Sequence, residues 1–343
     1  MNNLFVLHTQ YNLLLAIGLC RTEFQEDANN LILFSDFKLL GRHKMVVEQT
    51  FKKVLYLQGN YPKVVFSSKQ KYEKIRNDNR YIKSFVNDNY DRLFIVEDMC
   101  IQEMYCMKCV GKTNSSVNMF WLEDGANAYF RNSSVSLGMG ATPLKRWIRR
   151  FCFSIRFGLG KYYELGPCMG SNRNLKSAWF TFPNSARAEF LDREHLLISD
   201  EAFKQGMEAL FGGQPIEMDD NSVLIALDKL SVYDKYLPMV NLYVEEIVRE
   251  AKDKNVVVYY KYHPREDENL PALADSIELD RTVALESYLI NTTAASITII
   301  GFKSTALQTA KKMGFESISY IKKLEPDNSV IANFYDAIGI ICK

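Results

Sequence analysis

The chain alternates short apolar runs with longer segments of helical periodicity, and this alternation constrains its fold more than any other feature. The first run, Leu4–Leu7, and a later one, Val117–Leu122, have the length and composition of buried strands. Three similar runs lie between them, at Leu31–Phe34, Lys53–Leu57 and Arg92–Val96. Strands that alternate with helices, such as the one predicted over Tyr72–Asn87, form parallel β-α-β units, so the pattern predicts an α/β fold.

The alternation stops and then starts again. Residues 165–185 are rich in Gly, Pro and Asn and have no clear period, which is typical of a connection. Beyond them the pattern predicts three strands and a helix, at Ser222–Leu227, Asn255–Lys261, Ala295–Ile300 and Leu237–Ala251. We therefore predict two Rossmann-like domains, residues 1–165 and 166–343, that face each other across a cleft. In such sheets ligands bind at the carboxyl ends of the strands.

Composition excludes several classes of protein. Hydrophobic residues make up 47% and charged residues 24% of the 343 residues, the balance of a folded globular protein. Lys and Arg number 42 against 41 Asp and Glu, so no field of the whole chain attracts nucleic acid. Seven Cys without a secretory pattern at the start predict a reducing, cytoplasmic location. Leu13–Cys20, at eight residues, is far below the roughly 20 that a membrane span needs.

An acid pair follows the strand that ends at Leu122. Glu123 and Asp124 precede Gly125, and a carboxylate at the end of such a strand is placed to act as a general base. The alternative is that Asp124-Gly125 forms an ordinary hairpin turn. His8, Thr9 and Gln10, at the end of the first strand, are further candidates for contact with a substrate.

A histidine follows the buried strand that ends at Lys261. Pro264 restricts the backbone of His263 to extended conformations, and Lys261 and Arg265 flank it with positive charge. A histidine between two cations suits a phosphate group. The alternative is a loop of solvated charged side chains.

A third constellation begins at Gly301. Ser304 and Thr305 follow it and open a helix, where free backbone N–H groups favour an anion. The alternative is that one hydroxyl merely caps the helix. Glu286 lies a short way before this turn and would by itself be an ordinary surface residue.

The joint occurrence of these motifs resembles bacterial sialyltransferases of the two-Rossmann GT-B architecture. Their D/E-D/E-G, His-Pro and paired Ser/Thr motifs match Glu123-Asp124-Gly125, His263-Pro264 and Ser304-Thr305. The surrounding residues are similar to those of the α-2,8-polysialyltransferases and of the lipooligosaccharide and capsule sialyltransferases. The resemblance covers nearly the whole chain, including Leu7–Leu14. One departure is Lys303, which stands where small residues are commoner in these families.

The resemblance implies an inverting transfer of sialic acid from CMP-sialic acid to a glycan hydroxyl. Asp124 would be the general base, with Glu123 as a supporting acid, and His263 would protonate the leaving phosphate. The donor-binding residues would be Lys261, Pro264, Glu286, Gly301, Ser304 and Thr305, with Glu286 on the ribose hydroxyls and the Ser/Thr pair on the phosphate. The acceptor would be a galactoside or a sialoside. The alternatives are a CMP-Kdo-dependent GT-B enzyme and a non-catalytic glycan- or nucleotide-binding module.

No metal is expected in this reaction. The chain contains no D-x-D triplet, with which metal-dependent glycosyltransferases often bind the ion of the nucleotide. Cys106 and Cys109 form a C-x-x-C pair on the predicted helix after Arg92–Val96, but no second pair or His follows at zinc spacing.

The segment from Pro143 to Phe157 is the most biased in the chain, because five basic residues interleave with aromatic and aliphatic ones. A basic amphipathic helix of this kind binds anionic membrane surfaces. An enzyme that builds capsule or lipooligosaccharide would act at the inner membrane face, where this helix would hold it. The alternatives are contact with a polyanionic acceptor and a core helix whose aromatic side chains pack inward.

Overall fold

The computed structural model describes residues 1–59, 67–130, 143–164, 168–233, 236–264, 266–327 and 329–343. The side chains of 143–147, 149 and 150 lie outside this description, as does Arg265. The chain forms two compact units, Met1–Leu210 and Phe211–Lys343. Each unit contains one sheet, and all strand pairs in both sheets are parallel, as the sequence predicted.

The first unit is built on a sheet of seven strands in the order β3-β2-β1-β4-β5-β6-β7. The strands are β1 (Asn2–Leu7), β2 (Ala28–Phe34), β3 (Lys53–Leu57), β4 (Arg92–Ile95), β5 (Asn118–Leu122), β6 (Ser177–Phe180) and β7 (Glu194–Leu197). The helices are α1 (Gln10–Arg21), α2 (Gly41–Thr50), α3 (Ser68–Phe85), α4 (Ile101–Thr113), α5 (Pro143–Phe157) and α6 (Asp200–Phe211). Cys106 and Cys109 lie on α4, as predicted.

The core of this unit lies on both faces of the sheet, because its central strands are apolar along their carboxyl-terminal parts. Leu4, Phe5, Val6 and Leu7 are completely buried in β1. The ring of Phe5 stacks on that of Phe94 in the neighbouring β4, with 4.2 Å between the ring centroids. Strands buried on both faces are typical of parallel sheets covered by helices.

Two glycines bring α1 and α6 into backbone contact. A Cβ atom at Gly18 would lie 2.0 Å from the carbonyl oxygen of Ala202, and one at Gly206 would lie 2.2 Å from that of Leu14. Only residues without a side chain allow so close an approach. The packing therefore fixes α6 to the first unit.

The boundary between the units differs from the predicted one at residues 165 and 166. β6 pairs with β5, and β7 pairs with β6, so both strands extend the first sheet. Residues 168–210 therefore belong to the first unit, although 165–185 had the composition of a connection.

The second unit is built on a sheet of six strands in the order β10-β9-β8-β11-β12-β13. The strands are β8 (Ser222–Ala226), β9 (Val258–Lys261), β10 (Ile277–Glu278), β11 (Ile297–Gly301), β12 (Glu316–Ser319) and β13 (Ile341–Cys342). The helices are α7 (Leu237–Asp253), α8 (Leu285–Asn291), α9 (Thr305–Lys312), α10 (Ile321–Leu324) and α11 (Ser329–Ala337). Its core packs α7 against β8, β9 and β11.

Helix α5 carries the basic, aromatic segment. Phe153 and Phe157 pack against a small cluster formed by Met104, Leu159 and Tyr163, so the inward packing weighed above is realised for these two rings. No helix among the described residues is long and apolar enough to cross a membrane.

Candidate active site

The acid pair lies at the carboxyl end of β5, where Gly125 makes the turn possible. Gly125 has a φ of +57°, a left-handed conformation that favours glycine, and a short 3-10 helix begins there. The neighbours of β5 are both parallel to it, so the hairpin alternative does not apply. The turn directs the two acidic side chains to different surroundings.

Glu123 is completely buried and fully hydrogen-bonded. Its carboxylate accepts hydrogen bonds from the hydroxyls of Tyr11 and Tyr129. It also accepts from the backbone N–H and the hydroxyl of Thr181, each at 2.8 Å. Burial raises the pKa of Glu123, and these donors act against that rise. Its place in the structure is that of an internal anchor that joins α1, β5 and the end of β6.

Asp124 is only half-buried and is the more accessible acid of the pair. Its Oδ1 accepts a hydrogen bond from the amide of Asn12 in α1, at 3.2 Å. An accessible carboxylate with one oriented partner at a strand end has the position that a general base requires.

A cluster of titratable side chains lies at the neighbouring strand ends, of which the sequence singled out only His8. The imidazole Nδ1 lies 2.8 Å from the Asp36 carboxylate and Nε2 lies 2.7 Å from that of Glu103. Burial by itself would lower the pKa of His8, but the hydrogen bonds with Asp36 and Glu103 raise it to about 10. His8 is therefore an imidazolium at neutral pH. The sequence gives only a weak signal for this cluster, because each acid stands alone in a different loop or helix.

Among the described residues, one group has the donor atoms and spacing for a metal ion. Ligand atoms of His8, Glu97 and Cys100 all lie within 4.8 Å of one another. Burial raises the pKa of the Cys100 thiol, and both imidazole nitrogens of His8 face carboxylates other than Glu97 at shorter distances. A protonated imidazole and a protonated thiol are poor metal ligands. These side chains are therefore better suited to hold protons than to bind a metal ion.

In the second unit, the strand register brings three loops together. Ala226 at the end of β8 pairs with Lys261 in β9 on one side and with Gly301 in β11 on the other. Asp228, His263 and Lys303 each lie two residues beyond these paired positions. Because β8 is the middle strand, Asp228 stands between the His-Pro loop and the Ser/Thr turn.

Asp228 is a residue that the sequence analysis missed. Its carboxylate accepts a hydrogen bond from Tyr233 at 2.6 Å and further ones from the Ser304 hydroxyl and the Lys303 backbone N–H. Burial raises its pKa, whereas these donors and the nearby His263 lower it. The available signal was an aspartate directly after a buried strand, at the same position relative to β8 as His263 to β9.

The Ser/Thr turn has the cap that was weighed as its alternative. Ser304 is the N-cap of α9 and accepts a hydrogen bond from the N–H of Ala306 at 3.3 Å. Thr305, the first residue of the helix, is exposed. A Cβ atom at Gly301 would lie 2.9 Å from the carbonyl oxygen of Ala226, so this glycine permits close packing of β11 on β8.

Lys261 and Glu286 lie close enough for their charges to interact. The buried Lys261 ammonium donates to the carbonyl oxygens of Tyr262 and Arg281, each at 3.0 Å. These bonds use two of its three N–H donors, so it acts first as a brace for the loop after β10. Burial raises the pKa of Glu286, in the first turn of α8, and the Lys261 charge lowers it.

Pro264 and Glu266 lie in the loop after His263, and Lys303 lies in the Ser/Thr turn. Pro264 is exposed. Glu266 holds the loop in place, because its carboxylate accepts the N–H of Leu230 at 2.6 Å and those of Asp267 and Glu268 at 3.0 Å. Lys303 forms an ion pair with Glu325. Lys303 therefore takes part in a structural ion pair.

Residues 3–319 match the family described as alpha-2,8-polysialyltransferase (POLYST). The chain belongs to the alpha-2,8-polysialyltransferase family. A search of curated proteins finds no match.

Three solved structures are similar to the chain along nearly its whole length. An α/β-galactoside α-2,3-sialyltransferase from the luminous marine bacterium Photobacterium phosphoreum has 12% identity and a TM-score of 0.55, and the match covers 99% of this chain and 98% of that one. UDP-GlcNAc 2-epimerase from Methanocaldococcus jannaschii has 13% identity and a TM-score of 0.54, with 99% and 92% covered. The glycosyltransferase of kitacinnamycin has 11% identity and a TM-score of 0.53, with 100% and 86% covered.

These structural likenesses confirm the predicted α/β fold of GT-B type. The family assignment adds the activity, since a member of this family is a glycosyltransferase and, more narrowly, a sialyltransferase. The resemblance inferred from the sequence is therefore confirmed.

Proposed function

We propose that this sialyltransferase moves sialic acid from CMP-sialic acid to a glycan hydroxyl with inversion, using Asp124 as general base and His263 as general acid. The observation that carries the proposal is the contrast within the acid pair. Glu123 is completely buried and saturated with donors, whereas Asp124 is accessible at the end of β5. Only Asp124 can take a proton from an incoming hydroxyl.

The reaction requires one proton to leave the acceptor and one to reach the donor. The acceptor oxygen attacks the anomeric carbon of sialic acid while its proton passes to Asp124. The bond from that carbon to the phosphate oxygen of CMP breaks, and the electron pair leaves with the phosphate. His263 gives its proton to this oxygen, so the products are the sialoside and CMP. Solvent then restores the protonation of both residues.

The donor is proposed to bind through the second unit. Thr305, at the start of α9, suits the phosphate, because the positive end of a helix favours an anion. The half-buried Glu286 carboxylate suits the ribose hydroxyls, as the family resemblance implies. Protein donors and cations, rather than a metal ion, are proposed to neutralise the phosphate.

We further propose that the enzyme acts at the cytoplasmic face of the inner membrane, in capsule or lipooligosaccharide synthesis. Ile148, Phe151 and Ile155 are 47%, 55% and 64% exposed on α5. Their spacing puts them on one face of the helix, away from the packed rings of Phe153 and Phe157. An exposed apolar face on a helix whose sequence contains five basic residues is complementary to an anionic lipid surface.

Donor specificity provides the decisive experiment. Purified enzyme is incubated with a panel of labelled lactosides and sialyl-lactosides and either CMP-sialic acid or CMP-Kdo, and CMP release and product masses are measured. We expect transfer from CMP-sialic acid only. Transfer from CMP-Kdo alone would replace the proposed donor. CMP binding without turnover of either donor would indicate a binding module instead.

A substitution at Asp124 tests the mechanism. Asp124→Asn should lower kcat by about 100-fold or more while CMP still binds, since general base catalysis typically contributes a factor of this size. Unchanged kcat in this variant would exclude Asp124 as the base.

A further inference from the structure

Asp228 is the one acid at the carboxyl ends of β8, β9 and β11 among the described residues, and the mechanism above leaves it without a role. It stands between His263 and the Ser/Thr turn because β8 lies between β9 and β11 in the sheet. A residue at the centre of the donor-binding loops can control the groups on both sides.

The polar groups that contact Asp228 are donors. Tyr233 gives its hydroxyl hydrogen over 2.6 Å, and the Ser304 hydroxyl and the backbone N–H of Lys303 also donate to Asp228. A carboxyl group accepts on both oxygens only when it is ionised, since the protonated form must itself donate. This environment therefore favours the carboxylate form of Asp228.

The contact with Asp228 decides what Ser304 can do. A serine hydroxyl has a single hydrogen to donate. In Ser304 that hydrogen goes to Asp228, while its oxygen accepts the N–H of Ala306 at 3.3 Å. Ser304 therefore has no hydrogen left for a phosphate oxygen. Thr305 is exposed, so its hydroxyl is the better donor for the CMP phosphate.

The charge of Asp228 also acts on His263. A negative charge beside an imidazole favours its protonated form. Of the other charged residues that the structure describes in these loops, Lys303 pairs with Glu325, and Glu266 accepts three backbone N–H groups. Tyr233 stays neutral, because burial and the neighbouring Asp228 raise its pKa well above 10.

We propose that Asp228 is a positioning residue of the donor site, which fixes Ser304 by a hydrogen bond and keeps the His263 imidazole positively charged before transfer. Under this proposal the two hydroxyl residues have different roles, because Ser304 is held by Asp228 and Thr305 binds the phosphate. The part that concerns His263 rests on the proposed role of that residue as general acid.

The charge effect is tested with Asp228→Asn. The variant keeps the size of the side chain but removes its charge, so the basic limb of the kcat/KM profile should move down by about one pH unit. The titration of His263, followed by NMR among only four histidines and assigned with His263→Gln, should shift equally. Tyr233→Phe is the matched control, because it removes one hydrogen bond and leaves the charge. If Asp228 had only a structural role, Asp228→Asn would lower kcat at every pH without moving the basic limb of the kcat/KM profile or the titration of His263. That result would overturn the proposal.

The wild-type enzyme provides a test that does not depend on folding of a variant. The His263 titration midpoint should lie above the ordinary value of about 6.5 in the ligand-free protein. A midpoint at or below that value would overturn the proposed charge effect.

The division of tasks is tested at the two hydroxyls. Thr305→Val should weaken CMP binding by about tenfold, the equivalent of one charge-assisted hydrogen bond. Ser304→Ala should leave the dissociation constant of CMP within about twofold and should lower kcat, because the turn is no longer held. Equal loss of CMP binding in both variants would refute the division.

His263→Gln separates this inference from the proposed function. Full turnover in that variant would remove His263 as the acid and with it the proposed mechanism. Loss of turnover in His263→Gln, combined with an unaltered His263 titration in Asp228→Asn, would leave the function intact and refute only the role of Asp228.

Discussion

Asn12 and Asp124 lie 112 residues apart in the chain, yet the Asn12 amide donates a hydrogen bond to Oδ1 of Asp124 over 3.2 Å. The orientation of the amide is fixed from behind, because its oxygen accepts from the backbone N–H and the hydroxyl of Thr9 at 3.0 and 2.7 Å. The capping box at the start of α1 thus aims a donor at the proposed base.

Asn12→Asp should move the acid limb of the pH–rate profile to higher pH by about one unit. The new carboxylate still accepts from Thr9, but it puts a negative charge where Asp124 had a donor, and like charges disfavour ionisation. Initial rates between pH 4 and 8 measure the effect. Asn12→Ala removes the donor without adding charge and should shift the limb less. Coincident limbs for Asn12→Asp and wild type would show that this contact does not affect the base.

Glu123→Gln should destabilise the first unit, whereas Asp124→Asn should not. Each Glu123 oxygen accepts two hydrogen bonds, and the amide nitrogen of Gln, which replaces one of these oxygens, cannot accept its two. Each buried donor left unpaired costs about 1–3 kcal/mol. Asp124 is half-buried and loses little by the change. Urea unfolding followed by tryptophan fluorescence is a suitable measurement, because all three tryptophans lie in the first unit. Equal unfolding midpoints would contradict the assignment of Glu123 as an anchor.

His8 should make the stability of the first unit depend on pH above neutrality. Its pKa is raised from 6.5 to about 10 in the folded state, so its contribution is complete below about pH 6.5 and is lost as the pH rises toward 10. The slope should reach about 1.4 kcal/mol per pH unit for one proton. His8→Gln should lack this component. Parallel pH profiles of the unfolding free energy for both proteins would show that His8 is not charged in the fold.

Chelation should leave the reaction unaffected. If protein groups alone neutralise the CMP phosphate, excess EDTA should change the initial rate by less than about twofold, because no metal acts as Lewis acid in the transition state. Rates before and after dialysis against EDTA, with and without added Mg²⁺ or Mn²⁺, give the measurement. A rate that falls with EDTA and returns with either ion would reverse the expectation.

Replacing Phe151 and Ile155 by Ser should abolish flotation with vesicles that contain anionic lipid. These side chains are 55% and 64% exposed on α5, and membrane binding of an amphipathic helix scales with its buried apolar area. Leu242→Ser, at a position 59% exposed on α7, is the matched control and should float as wild type does. Changing Arg146, Arg149 and Arg150 to Glu should also prevent flotation. Undiminished flotation of both α5 variants would exclude this helix as the membrane contact.

The strands with unbroken apolar runs were predictable to within three residues at each end. Lys53–Leu57 matches β3, and Leu31–Phe34 lies within β2. β6 and β7 were missed, because the first is four residues long within a segment rich in Gly, Pro and Asn, and the second alternates little in burial. These strands are specified by pairing, of β6 with β5 and of β7 with β6, rather than by their own sequences.

The motifs of the candidate site were predictable, but their partners were not. Asp228 and Glu103 stand singly in the sequence, and only the strand order brings them to His263 and His8. Whether Ser304 faces a ligand or a neighbour depends on the register of β8 with β11, which no local pattern encodes. Short motifs therefore indicate where chemistry occurs, and the sheet decides which side chain performs it.

The paired glycines of α1 and α6 also determine how the enzyme can be dissected. A fragment that stops at residue 165 would leave the Gly18 surface of α1 and one edge of β5 bare, and both would invite aggregation. A fragment that stops at residue 210 keeps these surfaces covered and is therefore the fragment of the first unit to express by itself.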